Sequence, residues 1–173
     1  MNKQDITEIT FIIGNDKKYK HFIGRIKKDF EDSQNKGIPV AVNAFYAEKG
    51  IKKVGFCIIS ISPVKMRDWE KVFKEEGWVK PNFEIIISSF ELMYMYIKPA
   101  FRRLGLAGKL FEKVTSYAKK VGIKKLYAFV SDTDNGAINF YKSKNAKIIY
   151  EFSSNDQEEN ITGAFLMWNL EGG

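Results

Sequence analysis

The sequence predicts an α/β fold, one domain built on a mixed and mostly antiparallel sheet with helices packed against it. Three observations carry this. Short apolar runs alternate along the chain with longer stretches whose apolar residues recur at helical spacing. No internal repeat and no Pro- or Gly-rich linker divides it, so residues 1–173 read as a single domain. A length of 173 residues fits the common domain size of ~100–200 residues and lets about two-thirds of the unfolded chain's surface be buried. With 45% hydrophobic and 14% aromatic residues the core material is ample, which excludes disorder as the main state.

Taken in order, Ile6 to Ile13 reads as a first strand closed by Gly14-Asn15-Asp16. From Tyr19 to Phe30 the positions Phe22, Ile23, Ile26 and Phe30 repeat at helical spacing and predict an amphipathic helix. Gly37-Ile38-Pro39 turns the chain into a strand at Val40–Tyr46, and Glu48-Lys49-Gly50 makes a hairpin into another at Val54–Ile61. Between Ser62 and Pro81, Val64, Trp69, Val72 and Phe73 stand among charged residues, predicting one helix stopped near Gly77. Phe83–Ser88 and Glu91–Ile97 read as two strands around Ser88-Ser89, and Pro99 ends the second by removing a ladder donor. Gly105 to Val121 is the clearest helix, with an apolar stripe from Leu106 to Val121 and Gly122 at its C-terminal cap. Leu126–Val130 is a strand. Asp132 to Asn135 supply N-cap residues for a short helix to about Ser143, and Lys147–Phe152 and Ala164–Leu170 close the sheet around a polar loop.

Composition narrows the chemistry. One cysteine, Cys57, and one histidine, His21, are too few soft ligands for a structural zinc site, so no metal is expected, and triad chemistry would need His21 itself. No apolar run approaches the ~18 residues of a membrane span, and the polar start does not read as a signal peptide; a cytoplasmic location without a membrane partner is expected. The net charge of +7 invites an anion: nucleic acid, a membrane surface, or a phosphorylated cofactor. The basic residues crowd between Lys98 and Lys125.

That crowding begins where a strand gives way to a helix: Ile97-Lys98-Pro99-Ala100-Phe101-Arg102-Arg103-Leu104-Gly105-Leu106-Ala107-Gly108-Lys109. A helix start leaves backbone N–H groups unpaired and carries partial positive charge, so phosphates settle there. Gly105, Ala107 and Gly108 offer no bulk against an approaching anion, and Arg102 and Arg103 add forked donors. The alternative is a glycine-softened helix start with solvated arginines. The spacing is neither that of a Walker loop nor that of the dinucleotide fingerprint. It resembles the Arg/Gln-x-x-Gly-x-Gly/Ala signature of the Gcn5-related N-acetyltransferases (GNAT), read as Arg102, Gly105 and Ala107. Ile97-Lys98-Pro99 is similar to that family's Val-x-Pro, and Ala137 to Tyr141 after Asp134-Asn135 resembles its Asn-x-x-Ala-x-x-x-Tyr helix. Two departures stand: Asp134 falls at the usual asparagine position, and Lys144-Asn145-Ala146 replaces Gly-Phe.

The resemblance implies a GNAT-like fold with splayed central strands and acetyl-CoA as cosubstrate. Its pyrophosphate would lie on residues 103–108, with Lys98, Arg102, Lys109, Asp134 and Asn135 among the cofactor contacts. Its pantetheine would pair with the main chain at Tyr96 and Ile97, where a backbone N–H would also hold the oxyanion. The implied activity is acetyl transfer to a primary amine by direct attack through a tetrahedral intermediate. Glu91, on a strongly apolar strand, resembles the family's base glutamate; the other reading leaves it in solvent at a strand start, and Glu84 is a second choice. Tyr141 is the acid that would protonate the leaving thiolate, or ordinary packing on its helix. His21 reads as solvated surface and Cys57 as core. Tyr94 and Tyr96 line a pocket or pack, and Trp69 and Trp78 either lid the amine site or cover the sheet. Two rivals remain: a non-catalytic basic module for nucleic acid, which lacks any recognised binding signature, and a silent CoA-binding regulator. The acceptor, a small molecule or a protein amine, has no motif, and a monomer and a homodimer are equally compatible with the sequence.

Overall fold

The computed structural model describes residues 1–132, 136–153 and 162–171. Helices α1 (Lys3–Ile13) and α2 (Lys20–Asn35) precede a hairpin of β1 (Ala41–Lys49) and β2 (Lys52–Ile61). Then follow α3 (Pro63–Glu75), β3 (Phe90–Ile97), a short 3₁₀ turn at Pro99–Phe101, α4 (Leu106–Lys120), β4 (Lys125–Asp132), α5 (Gly136–Ser143), β5 (Lys147–Ser153) and β6 (Thr162–Asn169). The strands form one six-stranded sheet in the order β1-β2-β3-β4-β6-β5. Every neighbouring pair is antiparallel except β3 and β4, which run parallel. This is the mixed, mostly antiparallel architecture expected of the sequence.

Two faces of the sheet are covered by different helices. On one, Leu110, Val114 and Ala118 of α4 and Ile138 and Tyr141 of α5 pack on Cys57, Ile59, Phe90, Leu92 and Leu126. On the other, Ile9 and Ile12 of α1 and Ile26 of α2 pack on Phe56, Ile58, Tyr94 and Tyr96, while Met66 and Phe73 of α3 cover Tyr127 and Phe165. β2 and β3 approach closely at Gly55, where a Cβ would lie 2.6 Å from the Tyr96 carbonyl oxygen. Only glycine fits there. Among the described residues no helix is long and apolar enough to cross a membrane.

Two expectations are corrected. Ile6–Ile13 is helix, not strand. The Asn2 side chain accepts from the Asp5 N–H at 3.0 Å and the Asp5 carboxylate accepts from the Asn2 N–H at 2.7 Å, a capping box that starts α1. Ile9, Ile12 and Ile13 then fall on its buried face. Phe83–Ser88 is not a strand either. Its donors are taken by side chains: the Ile85 N–H reaches Glu70 of α3 at 2.6 Å and the Ile86 N–H reaches the Tyr127 hydroxyl at 3.5 Å. Only Ile85 of the run is buried at a core, and Ile86 and Ile87 remain exposed.

Candidate active site

β3 and β4 pair at just two positions, Phe90 with Leu126 and Glu91 with Tyr127, and then diverge. A bulge drives the divergence. Ile58 of β2 opposes Tyr94 while Ile59 opposes Leu92, so Met93 is left over and β3 bends at that point. The gap opens into a cleft of about 610 Å³ between β3 residues 92–95 and β4 residues 128–131, with Tyr19, Phe22 and Arg25 at one side and Tyr141 at the other.

The alternation of an antiparallel ladder decides which main-chain groups face this cleft. The Lys98 N–H bonds the Val54 carbonyl at 2.9 Å. In the same register Tyr96 and Tyr94 also turn their N–H and C=O to β2, leaving those of Met95 and Ile97 facing the open side. A strand-like partner therefore meets Met95 and Ile97; the main chain of Tyr96 is committed to β2, and its side chain packs on the α2 face.

The loop from Lys98 to Gly105 is shaped by two left-handed residues, Arg103 at φ 63° and Gly105 at φ 74°. Gly105 is the N-cap of α4 and has no side chain to fold over the helix start. The first helical bond is donated by Lys109, to the Gly105 carbonyl at 3.1 Å. The N–H groups of Leu106, Ala107 and Gly108 precede it and point outward from the first turn. Arg102 braces the loop from behind: its Nε donates to the Ile97 carbonyl at 2.9 Å, and its guanidinium lies over the rings of Tyr19 and Tyr96. The Lys98 ammonium lies over the Phe11 ring, while Arg103, Leu104 and Lys109 are exposed.

A further cation at this turn, from a separate element, escaped the sequence. Lys144, just past α5, places its Nζ 3.2 Å from where a Cβ on Gly108 would sit, and pairs with Glu112 of α4 at 3.3 Å. Its own carbonyl is anchored by the Trp168 indole N–H at 3.0 Å. Asn145 takes the left-handed conformation, φ 62°, that the departure from Gly-Phe requires. Only the resulting backbone reversal, which no local pattern reveals, carries Lys144 to α4.

Glu91 stands at the apex of the divergence, in the last paired position, and is 4% exposed. It is not at a solvated strand start. One carboxylate oxygen accepts from Lys65 of α3 at 2.6 Å, and the other has no hydrogen-bond partner among the described residues. Burial pushes this carboxyl above the usual range, the Lys65 ammonium pulls it part of the way back, and Asp29 pushes it up again. Tyr141 reaches the cleft from α5, wedged between Phe111 and Trp168 with ring centroids 6.3 and 5.3 Å away. Burial raises its phenol far above the ordinary tyrosine value, so the proton stays on. Asp134 and Asn135 lie outside the described residues.

The remaining candidates sort themselves by contact. Cys57 is fully buried core. Tyr94 and Tyr96 donate their hydroxyls to Asp29 at 3.0 Å and Asp16 at 2.9 Å, and Tyr94 also lines the cleft. Trp69 packs edge-on against Phe165 and Trp78 stacks on Tyr150, so both cover the sheet. His21 is exposed, at the α2 lip of the cleft, and Glu84 is exposed.

Residues 15–145 match the family described as the acetyltransferase (GNAT) family. This chain is a member of that family. A GNAT-family protein from Desulfovibrio desulfuricans superposes with a TM-score of 0.67 at 11% identity, covering 98% of this chain and 94% of that one. An N-acetyltransferase from Staphylococcus aureus Mu50 gives 0.62 at 17% identity over 99% and 96% of the two chains. The PaiA N-acetyltransferase of Thermoplasma acidophilum, solved in complex with coenzyme A, gives 0.59 at 13% identity over 98% and 95%. No curated protein matches the chain in sequence. The shared fold is the GNAT fold, and the family and fold together support acetyl transfer from acetyl-CoA.

Proposed function

We propose that residues 1–173 form an N-acetyltransferase domain that moves the acetyl group of acetyl-CoA to a primary amine by direct attack. The observation that carries this is the junction of an uncapped, glycine-led helix start with splayed strands that meet at a buried carboxylate. The pyrophosphate lies on the N–H groups of residues 103–108, with Arg103 and Lys144 supplying charge and Arg102 holding the loop's shape. The pantetheine pairs with the main chain of Met95 and Ile97, whose N–H groups face the cleft.

The acceptor arrives as an ammonium with pKa ~10 and must lose a proton before it can attack. Glu91 takes it. The free amine adds to the thioester carbonyl, and the tetrahedral oxyanion points at a cleft-facing N–H, that of Met95. The addition forms the C–N bond. Collapse restores the carbonyl and breaks the C–S bond, Tyr141 gives its proton to the departing thiolate, and the second proton shed by the nitrogen returns to the phenolate. The phenol is protonated at neutral pH and so has a proton to give. No step calls on a metal, a nucleic acid or a membrane surface, and the reading fits a protein working in the cytoplasm.

The test pairs acetyl-CoA calorimetry with thiol release across an amine panel. Saturable binding and amine-dependent release are expected. Absence of acetyl-CoA binding would overturn the reading. Binding without turnover would favour a silent CoA-binding regulator, and salt-sensitive DNA or RNA binding without turnover would favour the basic module.

A further inference from the structure

We infer that the acceptor carries an oxyanion, a carboxylate or a phosphate, beside its amine, and that Arg25 of α2 receives it. The inference rests on the acetyltransferase reading of the same cleft and names the substrate class that this reading leaves open. The two faces of the sheet divide the cleft. The open start of α4 and Tyr141 of α5 lie on one face, and α2 lies on the other. The α2 side contributes Lys18, His21 and Arg25 to the cleft wall, the last two one helical turn apart and therefore on one stripe. Among the described residues none of the three forms an ion pair, and no acidic side chain lines the cleft.

The carboxylates that stand nearby are already engaged. Asp16 accepts the Tyr96 hydroxyl, Asp29 accepts the Tyr94 hydroxyl, and Glu91 accepts Lys65. Those hydrogen bonds leave Asp16 and Asp29 charged, but neither lines the cleft, whose wall carries Lys18, Arg25 and Arg102 and, among the described residues, no acid. This excess disfavours polyamines. Arg25 is placed to do the opposite. Its guanidinium lies 6.0 Å from the centre of the Tyr94 ring, an arrangement that fixes the fork against an aromatic face. Tyr94 follows Glu91 on the same face of β3, separated from it by Leu92 and the bulged Met93. An amine at the Leu92–Met93 end of the cleft, beside Glu91, can therefore keep its anionic end toward Arg25. Arg25 is exposed, so it is available to a ligand and replaceable without disturbing the core.

The experiment measures kcat/KM by thiol release for matched acceptors: glycine, phenylalanine and glutamate each against its α-amide, phosphoethanolamine against ethanolamine, and spermidine alone. The anionic member should win in the carboxylate pairs, the phosphate pair, or both, by about tenfold or more, the worth of one charge-assisted hydrogen bond. Which pairs respond tells carboxylate from phosphate. Arg25→Gln should bring the ratio to about one and Arg25→Lys should leave it intermediate, with acetyl-CoA affinity by calorimetry unmoved in both. The inference is overturned if neutral partners or spermidine win, if the preference survives Arg25→Gln, or if no acceptor of either kind is acetylated while acetyl-CoA is bound. Failure of the wild-type protein to bind acetyl-CoA is a separate result: it removes the acetyltransferase reading itself, and this inference with it.

Discussion

The starts of α1 and α4 solve the same problem in opposite ways. Both expose first-turn N–H groups that have no partner within the helix. At α1 the chain satisfies them from its own side chains, through the reciprocal bonds of Asn2 and Asp5, and the second Asp5 oxygen accepts the Tyr46 hydroxyl at 2.6 Å. At α4 the cap is Gly105, with no side-chain bond, no acidic residue in the first turn, and Lys144 leaning over Gly108. One start is closed and serves the fold. The other is open and positive, and in the proposed function serves an anion. The contrast separates an anion site from a mere helix end, which charge and glycine content alone do not.

The largest expected effect follows directly. Gly105→Glu puts a side chain and a like charge where the proposed pyrophosphate would lie, and gives the left-handed position a residue that resists it at a cost of roughly 1–2 kcal/mol. No atom stands within 4 Å of the new Cβ, so the fold should survive. Acetyl-CoA binding should vanish by calorimetry while the circular dichroism spectrum stays native. A folded mutant with unchanged affinity would erase the functional half of the contrast.

Next come changes that should move turnover and leave binding alone. Glu91→Gln should cost about 10²–10⁴-fold in kcat near neutral pH if chemistry limits the rate. The loss should shrink as pH rises, because more of the amine then arrives neutral. In the wild type, burial holds the Glu91 carboxyl protonated above the usual carboxylate range. The base therefore appears only as pH climbs past that raised value, and activity falls on the acid side. Lys65→Met removes the ammonium that opposes the burial, so the acid limb should shift to higher pH; a shift downward would contradict the ion pair's role. Tyr141→Phe should lower kcat by less, with KM for acetyl-CoA unchanged, since only a hydroxyl leaves a packed ring. Wild-type kcat in Tyr141→Phe would assign that ring to packing alone.

The two helix starts also show what the sequence could and could not tell. The open start was legible because its whole signal is local: a strand, a proline, then Arg102, Gly105 and Ala107 in a row. The closed start was misread. Isoleucines from Ile6 to Ile13 suggested a strand, and an Asn-x-x-Asp box upstream is a weaker signal than the usual Ser/Thr and Glu/Gln pair. Phe83–Ser88 was misread for a related reason: its apolar letters suit a strand, but Glu70 and the Tyr127 hydroxyl take the donors a ladder would use. The Lys65–Glu91 pair, Lys144 over Gly108, and the extra residue Met93 in β3 join residues from separate elements. Such contacts exist only after the sheet and helices have packed, so no window of sequence contains them. Glu91 was found through its resemblance to a family position, yet its burial depended on α3 and the strand apex.

The smallest effect is the complement of the largest. Asn2→Ala deletes the acceptor of the Asp5 N–H and should cost about 1 kcal/mol of stability, the ordinary worth of an N-cap. In a chain of this size that corresponds to a melting point lower by roughly 2–4 °C. The capping box lies on the face of the sheet away from α4, so acetyl-CoA affinity and kcat should not move. Glycine at the same position should be milder, within a few tenths of a kcal/mol, because it lacks the acceptor but suits the extended cap conformation. If Asn2→Ala instead weakened cofactor binding at unchanged melting temperature, the first helix would belong to the binding machinery, and the distinction between a start that serves the fold and a start that serves a ligand would fail at its control.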